Sequence, residues 1–354
     1  MRWIPIPLWC YMLPMLMSSM GWLPGRHPAY QWITEWVFPV ALGCLLLGVN
    51  LGELSRVGAR ALLAMGLGTA GIMVAAPGMV WLLHAGLPAE AWKGAGVLAA
   101  TWTGGSLNMV ALRTILEVPA DIFAPLIVVD ALIAYSWMAV LVATKRCEPQ
   151  LDRWLRATPA ALPTSKTPND PPMAGPPAGL VGVGIFVVGL TILCAWISQG
   201  LPAGGLVASS TGWTVLLVTT VSLVLASVPA VRRVGLLGTR LGYPCLYVVL
   251  AALGAQANLR TLTSTPAWIL AGAGILLGHA AVLMVGGRCL RLPWGLLATA
   301  SQANVGGVVS APLVGAVYHR ALAPVGLVLA LVGNALGTYL GLGAALVTRW
   351  VGGG

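Results

Sequence analysis

Asp130 is the residue best placed to carry chemistry. Of the nine acidic residues it alone lies mid-span, ten residues into the apolar stretch 120–144. An ionised Asp at the centre of a bilayer costs about 2.5–3.5 kcal/mol on insertion scales, so its default role is as a proton or sodium carrier. Two further stretches are polar within apolar surroundings. One reads Thr101-Trp102-Thr103-Gly104-Gly105-Ser106-Leu107-Asn108. The other reads Ser301-Gln302-Ala303-Asn304-Val305-Gly306-Gly307 and continues into Ser310-Ala311-Pro312. Paired glycines weaken a helix, and a proline removes one backbone donor. An opened helix inside a membrane needs its freed N–H and C=O groups satisfied, which works only within protein or against a watery cavity. Half-helix N-termini there favour an anionic group, while loose carbonyls and amides suit a cation.

These features assign Asp130, Asn334, Gln302 and Asn304 to ion coupling. Thr101, Thr103, Gly104, Gly105, Ser106, Asn108, Ser301, Gly306, Gly307 and Ser310 are assigned to solute binding. The competing account of the two stretches is close helix packing through small residues, with hydroxyls bonded to the preceding turn. For Asp130 it is a protonated structural residue paired with Asn or Thr. His279, also inside an apolar run, reads as hydrogen-bonded packing rather than a proton relay. Tyr135 and Tyr339 each follow Asp130 and Asn334 by five positions and serve either the core or an interface. The six Cys and four His show no metal-ligand spacing, and no HExxH, GxSxG or phosphate-loop pattern is present, so no catalytic residue is assigned.

The elements that position these groups follow from composition. Of 354 residues, 58% are hydrophobic and 8% charged, too few charges to coat a soluble surface. The net charge of +10 comes from basic residues set singly or in pairs at the ends of apolar runs, without the basic stripe that nucleic acid requires. The chain therefore reads as an all-α polytopic membrane protein. About eleven spans are expected, near 3–23, 32–52, 60–84, 93–116, 120–144, 179–199, 209–230, 239–257, 267–286, 293–317 and 323–348. No cleavable signal pattern precedes them, so the first run is expected to stay.

The basic, Pro-rich segment 145–178 is a linker, and the positive-inside rule places it in the cytoplasm. From there the linker and second half score eleven basic residues inside against two outside. The first half scores two inside (Arg26, Lys93) against four outside (Arg2, Arg56, Arg60, Arg113), the wrong way round.

An internal repeat raises the same difficulty. GGSLNMVAL at 104–112 matches GGVVSAPLV at 306–314, and DALIAY at 130–135 matches NALGTY at 334–339. Asn50-Leu51 matches Asn258-Leu259, and Pro39 matches Pro244. The division expected is a first membrane repeat over 1–144, the linker over 145–178, an extra span over 179–208 and a second repeat over 209–354. Transporter repeats are often inverted, which needs an odd number of crossings between equivalents. The span count gives six. One wrong crossing between residues 57 and 144 would cure both the count and the charge bias.

The strings TWTGGSLNMVA, DALIAYSWM, ASQANVGGVVSAP and GNALGTYLG together resemble the YjcL-like integral-membrane family of unknown function, found in bacteria and plant plastids. The resemblance covers about Pro5 to Thr348. It implies kinship with the cation:proton antiporter and bile acid:sodium symporter superfamily, with two inverted repeats, a panel-like domain and a core domain holding two discontinuous crossing helices. On that pattern Gly104–Asn108 and Asn304–Gly307 lie on the crossing helices and Asp130 is the acid beside the first.

The expected function is Na⁺- or H⁺-coupled secondary transport of a small anionic organic solute by alternating access. A cation/proton antiporter and a non-transporting membrane scaffold or sensor stay open as alternatives. No organic cofactor is expected, only Na⁺. The partners expected are the lipid bilayer, the solute with its ion, and a second copy in a homodimer, with no nucleic acid. The location implied is the bacterial cytoplasmic membrane.

Overall fold

The computed structural model describes residues 6–49, 58–158, 177–202, 207–257 and 265–352. The repeat pair Asn50-Leu51 and Asn258-Leu259, together with the Pro-rich part of the linker, lies outside the described residues. The architecture is all-helical, as a chain surrounded by hydrocarbon requires, because a helix satisfies its own backbone. Among the described residues six helices are long and apolar enough to cross a membrane: Ala59–Leu82, Ala120–Leu155, Gly179–Ser198, Gly235–Ala255, Thr265–Cys289 and Leu322–Val351.

The helices are α1 (Ile6–Ser19), α2 (Pro28–Trp32), α3 (Phe38–Leu46), α4 (Ala59–Leu82), α5 (Ala91–Gly104), α6 (Ser106–Ile115), α7 (Ala120–Ala143), α8 (Glu148–Leu155), α9 (Pro177–Ser198), α10 (Ser210–Ala226), α11 (Pro229–Ala255), α12 (Thr265–Cys289), α13 (Trp294–Val305), α14 (Gly307–Tyr318) and α15 (Leu322–Val351). A π-helical turn, Ile33–Val37, joins α2 to α3. The stretches expected as single crossings at 93–116 and 293–317 are each two short helices, α5/α6 and α13/α14. The second break falls at Gly306-Gly307, not at Pro312, which lies inside α14.

The chain folds into two compact units that interleave along the sequence: Met1–Asn50 with Val110–Val128 and Asp170–Thr265, and Leu51–Met109 with Val129–Asn169 and Pro266–Gly354. The first unit packs α3 against α11 through glycines. Gly242 meets the Leu45 side chain, and Gly48 lies against the Gly235 carbonyl.

The second unit holds every residue assigned to the site. Its helices share two ends. At one, Arg60 at the start of α4 donates to Thr158 Oγ1 (2.9 Å) and to the Arg291 carbonyl (2.8 Å) just past α12. Trp294, opening α13, donates its indole N–H to the Tyr318 hydroxyl (2.9 Å), which closes α14. Tyr318 in turn donates to the Leu141 carbonyl of α7. The pair α13/α14 is thus a hairpin with both feet at this end. Residues 145–152 pin those feet. Asp152 Oδ1 accepts the Trp294 backbone N–H (2.7 Å), a carboxylate at a helix N-terminus, and Lys145 donates to the Tyr318 carbonyl (3.1 Å) at a helix C-terminus. At the other end the close of α4, the start of α5 and the close of α15 line one cleft.

α5 enters from that second end and lies along α15 on a seam of small residues. A Cβ on Gly96 would sit 2.9 Å from the Gly341 carbonyl and 2.7 Å from Ala345 Cβ. A Cβ on Gly333 would overlap the Thr103 carbonyl oxygen outright. Without a hydrophobic force between helices in lipid, such backbone approach is what van der Waals packing needs. Gly333→Ala should therefore cost about 1–3 kcal/mol and lower the melting midpoint in detergent. Gly78→Ala, where the added carbon meets nothing within 4 Å, should leave the midpoint unchanged or raise it.

Candidate functional site

The two helix breaks face each other. Gly105 and Gly307 hold φ of +77° and +72°, the left-handed region that glycine enters freely. A Cβ on Gly307 would lie 3.9 Å from Gly105 Cα, so the breaks meet through bare backbone. Asn334 brings its Oδ1 to the same place, 3.4 Å from where a Gly105 Cβ would be.

Asp130 stands one turn away. Its Oδ1 accepts the Trp102 indole N–H at 2.9 Å, three residues before the first break, and the Thr101 hydroxyl is a second neighbour. Among the described residues the ion pairs are Lys93–Glu90 and Lys145–Glu148, and no Lys or Arg pairs with Asp130. The half-buried carboxyl is thus held by neutral donors, an arrangement that tolerates both a bound proton and a bound cation.

Comparison with known proteins fits a membrane protein of this build. Residues 2–351 match the family described as "Protein of unknown function (DUF819)". The chain belongs to that family. It is also similar to the "Uncharacterized membrane protein YjcL" of Bacillus subtilis (strain 168), 22% identical over 349 residues, covering 92% of this chain and 86% of the relative. This DUF819 member is a multi-pass membrane protein.

Within it, the polar residues singled out from sequence fall into two groups. Gly105, Ser106, Gly306, Asn334 and Asp130 are half-buried around the meeting of the breaks. The others are buried and mostly spent on holding helices together. Asn108 donates to the Gly104 carbonyl (2.7 Å) and the Asn334 carbonyl (3.1 Å) and accepts from Thr338 (2.6 Å), tying the first break to α15. Thr103 donates to the Ala99 carbonyl of its own helix (2.7 Å). Asn304 donates to the Met65 carbonyl (3.2 Å) and accepts from Thr69 (3.3 Å), both on α4. Ser301 accepts the Trp137 indole N–H (2.8 Å) and meets His279 Nε2 (2.8 Å).

His279 is hydrogen-bonded packing, as its isolation suggests. Its Nδ1 lies 2.8 Å from the Gly68 carbonyl and so must carry the proton, which leaves Nε2 to accept from Ser301. Gln302 is intermediate: its amide N–H donates to Ser310 (2.8 Å) across the second break, while its Oε1 is buried without a hydrogen-bond partner. Tyr135 and Tyr339, at 44% and 37% exposure, belong to neither group.

Trp102 and Trp137 escape a reading that counts Trp as apolar. Their signal is position: Trp102 lies inside the first polar stretch, and Trp137 follows Asp130 by seven residues, two helical turns along the same apolar run. Asn108→Ala should cost about 2 kcal/mol, seen as a lower melting midpoint, because three buried partners lose their bonds. Ser106→Ala should stay within about 0.5 kcal/mol, since Ser106 is half-buried beside the break.

Proposed function

We propose that this protein is an ion-coupled secondary transporter that moves a small anionic organic solute with Na⁺ or H⁺ by alternating access. The observation that carries the reading is the opposition of the breaks at Gly105 and Gly307, one turn from an acid without a cationic partner. α6 and α14 both begin at that point, so two helix N-termini open toward it and favour an anionic group. The buried Gln302 Oε1 and the Asp130 carboxyl supply oxygens for a cation nearby. The solute takes the half-buried set; Asn108, Thr103, Ser301 and Asn304 act as framework.

An inverted repeat supports the same reading. Within the second unit α4 leads away from the end pinned by residues 145–152 while α12 leads toward it, and α7 leads toward it while α15 leads away. Equivalent helices therefore run in opposite senses. If the broken elements re-enter instead of crossing, the spans from α4 to α12 are α4, α7, α9, α10 and α11, an odd number as inversion needs. Arg60 then shares a side with the basic linker, and the first half moves from two inside against four outside to three against three. On this reading the protein sits in the cytoplasmic membrane with the linker inside.

The test is the melting midpoint of purified protein titrated with Na⁺ against choline at several pH values, with wild type and Asp130→Asn side by side. A saturable Na⁺ shift confined to wild type is expected, about 2.7 kcal/mol of stabilisation at one hundred times the dissociation constant. In proteoliposomes, Asp130→Asn should lose ion-driven uptake while remaining folded. Normal ion-driven uptake by the variant would overturn the reading. A cation/proton exchange that needs Asp130 and no organic solute would replace it with the antiporter alternative.

A further inference from the structure

One arginine of the first half has no role so far. Arg113 lies in the last turn of α6, inside a stretch read from sequence as membrane-embedded. It counts among the outside residues, where the positive-inside rule calls for few, so orientation does not explain it. The chain around it is apolar and enclosed: Leu112, Ile115 and Leu116, with Tyr11 of α1 and Phe123 of α7, are each 1% exposed or less. The guanidinium carbon lies 5.6 Å from the centre of the Phe123 ring, and Tyr11 meets that ring edge-on at 6.0 Å. The Tyr11 hydroxyl is a further polar neighbour of Arg113. All three residues belong to the first compact unit.

Arg113 Nε is buried without a hydrogen-bond partner. Among the described residues the ion pairs are Lys93–Glu90 and Lys145–Glu148, neither of which involves Arg113. Glu117, four residues on and exposed, acts on it only from beyond ion-pair distance. The C-terminal end of α6 favours a cation, and so does the face of the Phe123 ring. Both attractions are small against the cost of taking a guanidinium out of water, so a charge at membrane depth is a functional site by default. The residue as a whole stays half-buried, which leaves it open to a ligand. Two terminal guanidinium nitrogens match the two oxygens of a carboxylate, and a phenol beside them adds a third donor.

We propose that Arg113, with the Tyr11 hydroxyl beside it, binds the carboxylate of a small organic anion. The site lies wholly in the first compact unit and does not depend on the transport reading. Purified full-length protein in neutral detergent would be titrated with acetate, chloride or inorganic phosphate, each as its choline salt at matched ionic strength. Two readouts would be followed: the melting midpoint, and the rate at which phenylglyoxal labels Arg113, read on its own peptide by mass spectrometry. Acetate should raise the midpoint saturably and slow the labelling, and chloride and phosphate should do neither. Arg113→Gln should weaken the acetate response at least about tenfold. Because it removes an unpaired charge, this variant should melt no lower than wild type in chloride. Tyr11→Phe keeps its ring against Phe123 and should weaken acetate binding about threefold. The labelling arm uses wild type alone and stands even if a variant misfolds. Equal effects of acetate and chloride, labelling that acetate does not slow, or an undiminished response in Arg113→Gln would overturn the proposal. A lower midpoint for Arg113→Gln, with no acetate response in wild type, would replace it with a structural cation. A full response to phosphate would replace the carboxylate with a phosphate group.

Discussion

Everything in the second unit depends on one constraint: two helices are interrupted within a membrane protein, and their loose backbone groups must find partners inside it. In hydrocarbon each unsatisfied N–H or C=O costs several kcal/mol. The chain meets that cost by surrounding the breaks. Asn108 and Thr338 bind the first to α15, Asn304 binds the second to α4, and Gln302 reaches across to Ser310. The polar richness of both stretches follows largely from this, since most of those side chains are needed to make an interruption tolerable. What remains around the breaks is small and specific: glycine backbone, one serine, one asparagine and one carboxyl.

The positions of the breaks were legible in the sequence because glycine pairs stand out in apolar runs, and Asp130 because no other acid lies so deep. The helical class and the apolar runs followed from composition alone. Other features were hidden for physical reasons. A helix that turns back at its middle has the same length and hydropathy as one that crosses, so 293–317 read as a single span. The division into compact units was equally invisible, because it cuts two helices, α6 and α7, and assigns parts of each to both.

Side-chain roles were harder still. Asn108 and Asn304 have the chemistry of ligands, and only their distances to backbone carbonyls reveal them as fasteners. Trp102 shows the reverse error: counted as apolar bulk, it is the donor nearest the carboxyl. His279 read correctly because a lone imidazole without a second ligand has few other options, and the Gly68 carbonyl and Ser301 hydroxyl account for both its nitrogens.

The seam between α5 and α15 has a consequence for how this family can diverge. Gly96, Gly104, Gly333 and Gly337 sit where a single added methyl would meet backbone on the facing helix. Volume along such a line is conserved jointly: a side chain gained on one helix has to be given up on its neighbour. Drift at these positions should therefore proceed in matched exchanges across the pair. A history of that kind would leave the seam's total bulk constant in relatives whose individual residues differ.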